Sequence, residues 1–257
     1  MKQLKALGQN FLTDPGIAQR IVAEAGVTAQ DQVWEIGPGT GILTRALLAK
    51  GCSLTTFELD HRLEQALRQE FGSRVKLVMA DILKIDWQQE LDRCPQPIKL
   101  VANIPYHISS PLLHRLERYS ERLASITLML QAEVAQRICA NPGHKAYGAM
   151  TLRLRRLYAS RILLSVPRHC FQPVPAVDSA VVHLVRRTQE PMIADLGKYL
   201  KLLELAFAHR RKTLRNNLKS LADRDRLERL QTLSGIDLNR RGETLSESEF
   251  ITLSRFL

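Results

Sequence analysis

The stretch Val33-Trp34-Glu35-Ile36-Gly37-Pro38-Gly39-Thr40-Gly41-Ile42-Leu43-Thr44-Arg45-Ala46-Leu47 joins an apolar run to a turn with three glycines and then to a segment of helical periodicity. The apolar run predicts a buried strand over residues 33–36, and the apolar positions of residues 42–47 predict an amphipathic helix. Glycine lacks a Cβ atom, so this turn lets the backbone pass close to a ligand. A strand, a glycine turn and a helix in this order are typical of an α/β sheet.

Further strand-like runs follow along the chain, and amphipathic segments separate them. They cover residues 54–58, 75–78, 98–102 and 126–130. Strands that alternate with helices imply a parallel, doubly wound, Rossmann-like sheet. Two later runs, residues 162–166 and 180–185, are predicted to form an antiparallel pair at the edge of this sheet. Asp14 and Pro15 predict the start of the first helix.

The alternating pattern ends at a predicted linker over residues 188–191, and the pattern beyond it is purely helical. One predicted helix has an apolar stripe at helical spacing, which consists of Leu196, Leu200, Leu203 and Phe207. Ser246 and Glu249 have the spacing of a capping box at the start of a last helix. We therefore expect a larger domain over residues 1–189 and a small all-helical domain over residues 190–257.

Charge and cysteine usage narrow the class of protein. The 257 residues include 37 lysines and arginines against 26 aspartates and glutamates, which gives a net charge of +11. This balance favours a polyanionic partner, because each phosphate that a cation neutralises releases counterions. The four cysteines stand singly, without a C-x-x-C pair or a neighbouring histidine cluster, which predicts a reduced compartment and no metal site.

The amino-terminal residues lack the apolar stretch of a signal peptide. No run approaches the ~18 apolar residues that a membrane span needs. We therefore expect a soluble, cytoplasmic protein that has no membrane partner.

Two acidic residues add to the interpretation of the glycine turn. The spacing of Gly37, Gly39 and Gly41 is G-x-G-x-G, which differs from the G-x-G-x-x-G of a dinucleotide site. Glu58 and Asp81 end the next two predicted strands, where carboxylates can hold ribose hydroxyls and the amine of an adenine while repelling phosphate. An adenosine cofactor without phosphates, S-adenosylmethionine, fits this set better than a nucleotide does. Taken singly, each acid is equally well explained as a helix N-terminal or solvated carboxylate.

A second polar loop follows the strand at residues 98–102. It reads Asn103-Ile104-Pro105-Tyr106 and stands at a carboxyl end of a strand, where α/β sheets place their chemistry. An amide oxygen and backbone carbonyls accept hydrogen bonds from the amino group of a planar ring, and Tyr106 offers a face on which that ring stacks. The loop therefore predicts a site of amine methylation. The alternative is an ordinary loop, since asparagine and proline are common turn residues.

Two flanking segments complete the predicted site. The amide-rich residues 8–12 are interpreted as a lid over the cofactor, with a disordered terminus as the alternative. Residues 171–175 form a proline-stiffened segment that presents Phe171, either as a second face for the base opposite Tyr106 or as a buried core residue.

A basic run at residues 209–219 places five cations on one predicted helical segment. They are Arg210, Arg211, Lys212, Arg215 and Lys219. A solvated surface helix is the plainer explanation of a charge run. Because the whole chain is basic, we interpret this run as a contact to RNA phosphates.

These segments, together with residues 130–137, 142–148 and 171–179, resemble in their order and spacing one family, the ribosomal RNA adenine N6,N6-dimethyltransferases. The resemblance spans nearly the whole chain and implies a class I methyltransferase fold. The cofactor contacts that it implies, with S-adenosylmethionine, are Asn10, Leu12, Gly37, Gly39, Gly41, Glu58, Asp81, Ile82 and Asn103. The residues that it implies around the target adenine are Asn103, Ile104, Pro105, Tyr106 and Phe171. The chain departs from the family pattern at Thr40, at Val174 and in a short amino-terminal arm.

The resemblance also implies a substrate. It points to an enzyme that dimethylates N6 of two adjacent adenines in a hairpin loop near the 3′ end of small-subunit (16S) rRNA, acting as a monomer on the small ribosomal subunit or its precursor and contributing to its biogenesis. One alternative is a large-subunit (23S) rRNA dimethylase of the macrolide-resistance type. Another is a non-catalytic ribosome-assembly factor. A nicotinamide oxidoreductase is disfavoured by the glycine spacing.

Overall fold

The structure, a computed structural model, describes residues 9–257 and contains two compact units. The first unit consists of residues 9–135 and Ala159–Arg186, and the second of Gln136–Tyr158 and Arg187–Leu257. The predicted boundary at 189/190 lies close to the last passage between the units, but it leaves out residues 136–158. These residues belong to the second unit because Tyr147 and Leu152 are buried in the same apolar cluster as Tyr199.

Within residues 9–257, nine strands form two sheets. The strands are β1 (Phe11–Leu12), β2 (Gln32–Ile36), β3 (Ser53–Glu58), β4 (Lys76–Met79), β5 (Ile98–Asn103), β6 (Leu123–Gln131), β7 (Tyr158–Val166), β8 (Phe171–Gln172) and β9 (Ser179–Arg186). Seven of them form one sheet in the order β4-β3-β2-β5-β6-β9-β7, and β1 pairs with β8 in a separate antiparallel ladder. All neighbours from β4 to β6 are parallel, and β9 is antiparallel to β6. The predicted α/β Rossmann-like sheet is confirmed.

The central strands are buried on both faces. In β2, Val33, Trp34, Glu35 and Ile36 are all buried, which explains why the strand reads as a continuous run instead of an alternating pattern. Trp34 packs edge-on against Phe57, with 4.8 Å between the ring centroids.

Eleven helices are found in the same residues. They are α1 (Pro15–Glu24), α2 (Ile42–Leu48), α3 (Glu64–Phe71), α4 (Trp87–Asp92), α5 (Ser109–Arg118), α6 (Ala132–Cys139), α7 (Ala149–Arg155), α8 (Leu196–Ala206), α9 (Leu214–Asn217), α10 (Arg224–Ser234) and α11 (Glu247–Phe256). The predicted start of α1 is confirmed, because the Asp14 carboxylate accepts hydrogen bonds from the backbone N–H groups of Gly16 and Ile17. The capping box of Ser246 and Glu249 is confirmed at α11.

The core of the second unit corrects the predicted stripe of α8. Leu203 is buried, but Leu196 is 43% exposed and Phe207 follows the end of the helix. The buried face instead consists of Tyr199, Leu202, Leu203 and Ala206. Both sets have helical spacing, so the sequence pattern alone did not distinguish the two faces.

The basic run does not form one helical segment, and that prediction is wrong. After α8, residues 207–212 form turns, and α9 is only four residues long. Thr213 begins α9 by accepting a hydrogen bond from the Asn216 backbone N–H. The next two backbone N–H groups, of Leu214 and Arg215, donate to the carbonyls of Arg240 and Leu238. These bonds with a distant loop replace the continuous helix.

None of the helices described between residues 9 and 257 combines the length and the apolar character that crossing a membrane requires.

Candidate active site

A cleft opens at the carboxyl ends of β2 and β5, in the first unit. β2 has β3 on one side and β5 on the other, so the strand order changes direction here, and α/β sheets bind ligands at such a point. The cleft wall includes predicted residues from four separate segments, namely Asn10, Leu12, Gly37, Gly39, Glu58, Asn103, Ile104, Pro105 and Tyr106. An adjoining cleft shares Gly37, Glu58 and Pro105 with it and adds Asp81 and Ile82. Gly8, the first residue of the predicted lid, lies outside the described residues.

The glycine turn is shaped by contacts on both of its sides. Gly39 has a φ of +56°, and a Cβ atom there would lie 2.8 Å from the ring of Phe11. Its backbone N–H donates to Glu58 Oε2 over 3.2 Å. Gly37 also has a positive φ of +70°. The turn therefore brings bare backbone to the cleft at two positions.

Gly41 serves a different purpose from the other two glycines. A Cβ atom at this position would lie 2.6 Å from the ring of Phe71, and the residue lines neither cleft. It therefore provides room for core packing at the start of α2. The structure does not bring it to the predicted cofactor site.

Glu58 ends β3 beneath the cleft and is 5% exposed. Its Oε1 accepts a hydrogen bond from the backbone N–H of Asp60 over 2.8 Å. Burial raises the pKa of Glu58, and hydrogen bonds from backbone N–H groups oppose this rise. The residue is thus a carboxylate that main-chain groups hold at the edge of the sheet.

Asp81 and Ile82 follow β4 in the adjoining cleft. Asp81 Oδ1 accepts a hydrogen bond from the backbone N–H of Leu83 over 2.9 Å, and its side chain is 25% exposed. Ile82 is buried and adds an apolar wall. A carboxylate beside an apolar wall suits a planar base that carries an amino group.

Asn103 is the last residue of β5, and its amide is oriented by the opposite wall of the cleft. Asn103 Nδ2 donates to the backbone carbonyl of Asn10 over 3.4 Å. Because the amide nitrogen is used in this way, the amide oxygen is the atom that remains for a ligand. Ile104 follows with a buried side chain, so its peptide group lies at the cleft surface while its side chain anchors the loop.

Tyr106 lines the cleft with a half-buried ring. Its hydroxyl is 2.8 Å from Ser179 Oγ, the first side chain of β9. Burial raises the pKa of Tyr106, and the hydrogen bond with Ser179 opposes this rise. The hydrogen bond at its far end therefore fixes the half-buried ring in the wall of the cleft.

Phe171 is not placed opposite Tyr106, as the sequence interpretation expected. It is 2% exposed and belongs to the core cluster of the first unit. The cause is the pairing of β8 with β1, which puts Phe171 opposite Leu12. In this structure the residue supports a wall of the cleft from behind and presents no face to a base.

Sequence reasoning missed Glu35, a fully buried carboxyl directly before the glycine turn. Thr44 Oγ1 donates to Glu35 Oε2 over 2.7 Å. Burial raises the pKa of Glu35 to about 8, and the nearby charge of Glu58 adds to the rise. Burial therefore favours the protonated form of Glu35. An acidic residue inside an apolar strand is the signal that identifies it.

A further ion pair stabilises the cleft wall. Gln9 Nε2 donates to Asp60 Oδ2 over 3.0 Å, and Asp60 is paired with Arg62. The Arg62 guanidinium, with a further hydrogen bond from Gln9, lowers the pKa of Asp60 to about 2. The hydrogen bond between Gln9 and Asp60 connects the segment before β1 to the loop that follows β3.

The family model of ribosomal RNA adenine dimethylases matches residues 1–257. The chain belongs to the ribosomal RNA adenine dimethylase family. Among curated relatives of this dimethylase, the ribosomal RNA small subunit methyltransferase A of Saccharophagus degradans is 42% identical over 256 residues, which cover 98% of this chain and 94% of the relative. The protein of the same name from Lactobacillus delbrueckii subsp. bulgaricus is 40% identical over 265 residues, with coverage of 98% and 89%.

Solved structures of two related enzymes share the fold of this dimethylase. The 23S rRNA methyltransferase ErmE has a TM-score of 0.77 and 27% identity, and the match covers 96% of this chain and 99% of ErmE. A dimethyladenosine transferase from Plasmodium falciparum has a TM-score of 0.75 and 26% identity, with 95% of both chains covered. The architecture of the class I methyltransferases is thereby established for this chain.

The clefts of this dimethylase fit its methyl donor, S-adenosylmethionine. Glu58 and Asp81 supply carboxylates for hydroxyl and amino groups, and a Cβ atom at Gly39 would enter the wall that Phe11 forms. No lysine or arginine is found among the described residues that line either cleft. The donor set therefore suits an adenosine group without phosphates. No three His, Cys, Asp or Glu side chains are grouped as metal ligands within residues 9–257.

Proposed function

We propose that this dimethylase transfers methyl groups to N6 of two adjacent adenines in a hairpin loop near the 3′ end of small-subunit (16S) rRNA. The observation that carries the proposal is the Asn103 amide, which is oriented by the Asn10 carbonyl and stands beside the ring of Tyr106 in one cleft. The small-subunit target is supported by the curated relatives, which are about 40% identical and are named for that subunit.

The proposed chemistry follows from the electronic structure of adenine. The lone pair of N6 is delocalised into the ring, so the amine is a poor nucleophile while it stays planar. Asn103 Oδ1 and the Ile104 carbonyl accept the two N6 hydrogens, which turns the lone pair out of the plane of the ring. Holding the amine next to the methyl donor makes the reaction effectively unimolecular. This positioning lowers the activation barrier by roughly 7 to 11 kcal/mol at best. As the N6–methyl bond forms, the sulfur–methyl bond would break and leave S-adenosylhomocysteine, and the cationic N6 would lose a proton to water, so no strong general base is needed.

S-adenosylmethionine, when bound, supplies an electrophilic methyl group on a sulfonium. Glu58 holds its ribose hydroxyls, and Asp81 with Ile82 holds its adenine. Tyr106 stacks on the target adenine once that base has left its own stack. An aromatic face next to a cation also favours the charged donor.

The proposed RNA contact uses the cations of the basic run that have no partner among the described residues. They are Arg211, Lys212 and Lys219, all exposed. Arg210 is bonded to the Tyr147 carbonyl and paired with Glu243, and Arg215 donates to Gln231 Oε1. The five predicted cations thus divide into three that are available for phosphates and two that hold the unit together.

A large-subunit target is the second candidate, because ErmE, a 23S rRNA methyltransferase, superimposes on the chain with a TM-score of 0.77. Its lower identity, 27% against 42%, favours the small subunit instead. The two candidates share the chemistry and differ only in the RNA.

The proposal is tested by transfer of labelled methyl groups to undermethylated small and large ribosomal subunits, with the modified nucleoside identified by mass spectrometry. We expect dimethyladenosine on the small subunit alone. Label on the large subunit would support the second candidate. Absence of label, in a preparation that binds S-adenosylmethionine, would favour a non-catalytic assembly factor.

The setting of the reaction is part of the proposal. We place the enzyme in the cytoplasm, acting as a monomer on the small subunit or its precursor, with methylation as a step of subunit biogenesis. Sedimentation of the free protein, and of its complex with small subunits, checks the number of copies that act.

A further inference from the structure

A surface loop, residues 173–178, is attached at both of its ends to the walls of the cleft. On one side, Gln172 and Phe171 of β8 pair with Phe11 and Leu12, which line the cleft. On the other side, Ser179 holds the hydroxyl of Tyr106 over 2.8 Å. Both ends of the loop are therefore joined to residues that line the cleft, Phe11 and Leu12 at one end and Tyr106 at the other, while residues 173–178 themselves lie outside the cleft lining.

The backbone of this loop is fixed. The Asp178 carboxylate accepts a hydrogen bond from the Arg168 backbone N–H over 2.9 Å, and the Asp178 carbonyl accepts one from Ala132 N–H over 3.0 Å. Pro173 and Pro175 fix their own φ angles, and Pro175 is buried. A loop held in this way loses little conformational entropy when it binds a partner.

Apart from Asp178, whose carboxylate is bonded to the Arg168 backbone N–H, the side chains that the loop exposes are apolar. Val174 is 55% exposed and Val177 is 45% exposed. Arg168 lies beside them, with its guanidinium 3.5 Å from the Ala176 carbonyl. Apolar side chains with an adjacent cation match the two parts of an unpaired nucleotide, a base face and a phosphate.

We infer that Val174 and Val177 pack against the unpaired nucleotides that adjoin the target adenine, and that Arg168 contacts their phosphate. The inference rests on the proposed function, because it takes RNA as the substrate. An adenine that leaves its stack deprives its neighbours of a stacking partner. A rigid apolar surface next to Tyr106 replaces that partner and keeps the neighbouring bases from closing over the gap.

The chain provides a matched control for this surface. Val185 is 44% exposed and lies near the other end of β9. In the ladder with β6, Ser179 is opposite Gln131 while Val185 is opposite Ser125, so the two positions are separated by about 20 Å at the rise of a strand. Val185 has the residue type and exposure of Val177 without its proximity to the cleft.

The first test compares the double variant Val174→Ser, Val177→Ser with Val185→Ser on undermethylated small subunits. Contacts to the neighbouring nucleotides, once made, stabilise the bound substrate and the transition state equally. Their loss therefore raises KM and leaves kcat unchanged. We expect KM for the subunit to rise about tenfold in the double variant alone, with unchanged affinity for S-adenosylmethionine. Equal KM values in the double variant and the Val185 control would overturn the inference.

The second test locates the contact. A photo-crosslinking amino acid is placed at position 174 or at position 185, and the crosslinked nucleotides on the small subunit are mapped by reverse transcription. We expect position 174 to crosslink next to the methylated adenines. A crosslink to a ribosomal protein, or to RNA remote from the methylated site, would overturn the inference. The wild-type enzyme is assayed in parallel, and its failure to methylate any subunit would count against the proposed function instead.

Discussion

Two carboxyls at opposite ends of the parallel strands, Asp31 and Glu58, have different hydrogen-bond partners. At the amino ends, Lys99 Nζ donates to Asp31 Oδ2 over 2.8 Å and to the Gly26 carbonyl over 2.6 Å. At the carboxyl ends, Glu58 accepts hydrogen bonds from backbone N–H groups, and no lysine or arginine lines the clefts among the described residues. Asp31 is thus paired with a cation. Glu58 is held by main-chain groups instead, although Asp60 beside it is paired with Arg62 and Asp81 lies 3.8 Å from Lys84 Nζ.

The pKa values of two carboxyls express this difference. Burial opposes the ionisation of Asp31, but hydrogen bonds from Lys99 and Thr28 outweigh it and lower its pKa below 3.8. Burial raises the pKa of Glu58 above its usual 4.5. The native fold therefore favours the charged form of Asp31 and disfavours that of Glu58.

The largest effect is expected at Asn103, whose amide has the most direct part in the proposed reaction. Asn103→Ala removes the acceptor of an N6 hydrogen, so kcat should fall by about a hundredfold or more. Binding of S-adenosylmethionine, measured by calorimetry, should stay largely intact. The control is Asn239→Ala, an exposed asparagine in the second unit. A wild-type turnover in Asn103→Ala would remove the amide from the mechanism.

The glycine turn gives the next largest effect. In Gly39→Ala, the new Cβ atom meets the Phe11 ring and the backbone keeps a strained positive φ. Gly235→Ala shares the positive φ, +69°, but nothing lies within 4 Å of its Cβ position. Both variants should lose about 1 kcal/mol of unfolding free energy through backbone strain. Only Gly39→Ala should also lose affinity for S-adenosylmethionine, by about tenfold or more, and equal affinities in the two variants would contradict this role.

Neutralising the two carboxyls should change stability by different amounts at pH 7. Asp31→Asn should lose about 1 kcal/mol of unfolding free energy, because it breaks the pair with Lys99. In Glu58→Gln, one of the two oxygens that accept the backbone N–H groups of Gly39 and Asp60 becomes an NH2 donor, so the loss of that hydrogen bond offsets the removal of a buried charge. Glu58→Gln should therefore change stability less than Asp31→Asn does, and it should lose affinity for S-adenosylmethionine. Urea unfolding and calorimetry measure the two quantities. A loss of stability in Glu58→Gln as large as that in Asp31→Asn would refute the contrast between the strand ends.

The pH dependence follows from the same two shifts. The lowered pKa of Asp31 contributes stability above pH 3.8, and this contribution is lost as the pH falls through the lowered value. The raised pKa of Glu58 contributes stability below pH 4.5, and this contribution is lost as the pH rises through the raised value. The difference between wild type and Asp31→Asn should therefore shrink on acidification. Urea unfolding at a series of pH values checks this.

The smallest effect extends the comparison to the second unit, where Arg211 has no partner among the described residues and Arg215 is bonded to Gln231. Arg211→Gln should reduce the slope of log affinity for RNA against log salt by about one, since one phosphate contact is lost. Arg215→Gln should leave the slope unchanged and cost some stability. Filter binding across a salt series separates the two, and identical slopes in wild type and Arg211→Gln would exclude this phosphate contact.

The sequence predicted best what depends on neighbouring residues. The strands, the Asp14 cap and the Ser246 capping box follow from local patterns, and all are confirmed. Placing Asn103 near Glu58 succeeded as well, because parallel strands bring their carboxyl ends to one edge of a sheet. Motif order then identified the family, which local patterns could not do.

The predictions that failed depend on distant pairing. Phe171 is turned into the core by its ladder with β1, some 160 residues earlier in the chain. The basic run is broken by hydrogen bonds with the carbonyls of Leu238 and Arg240. Neither partner can be identified from the residues on either side of the segment. For the same reason, the sequence did not assign residues 136–158 to the second unit.

The strand order has a consequence for how the protein is made. β9 lies between β6 and β7 in the sheet, although β7 precedes it in the chain. During synthesis, β7 leaves the ribosome before the strand that will connect it to β6 exists, so this edge of the sheet waits for residues 179–186. Ser179, which braces Tyr106, is the first of them. The growing chain therefore completes the order of its central sheet and forms the hydrogen bond of Tyr106 with the same strand, β9.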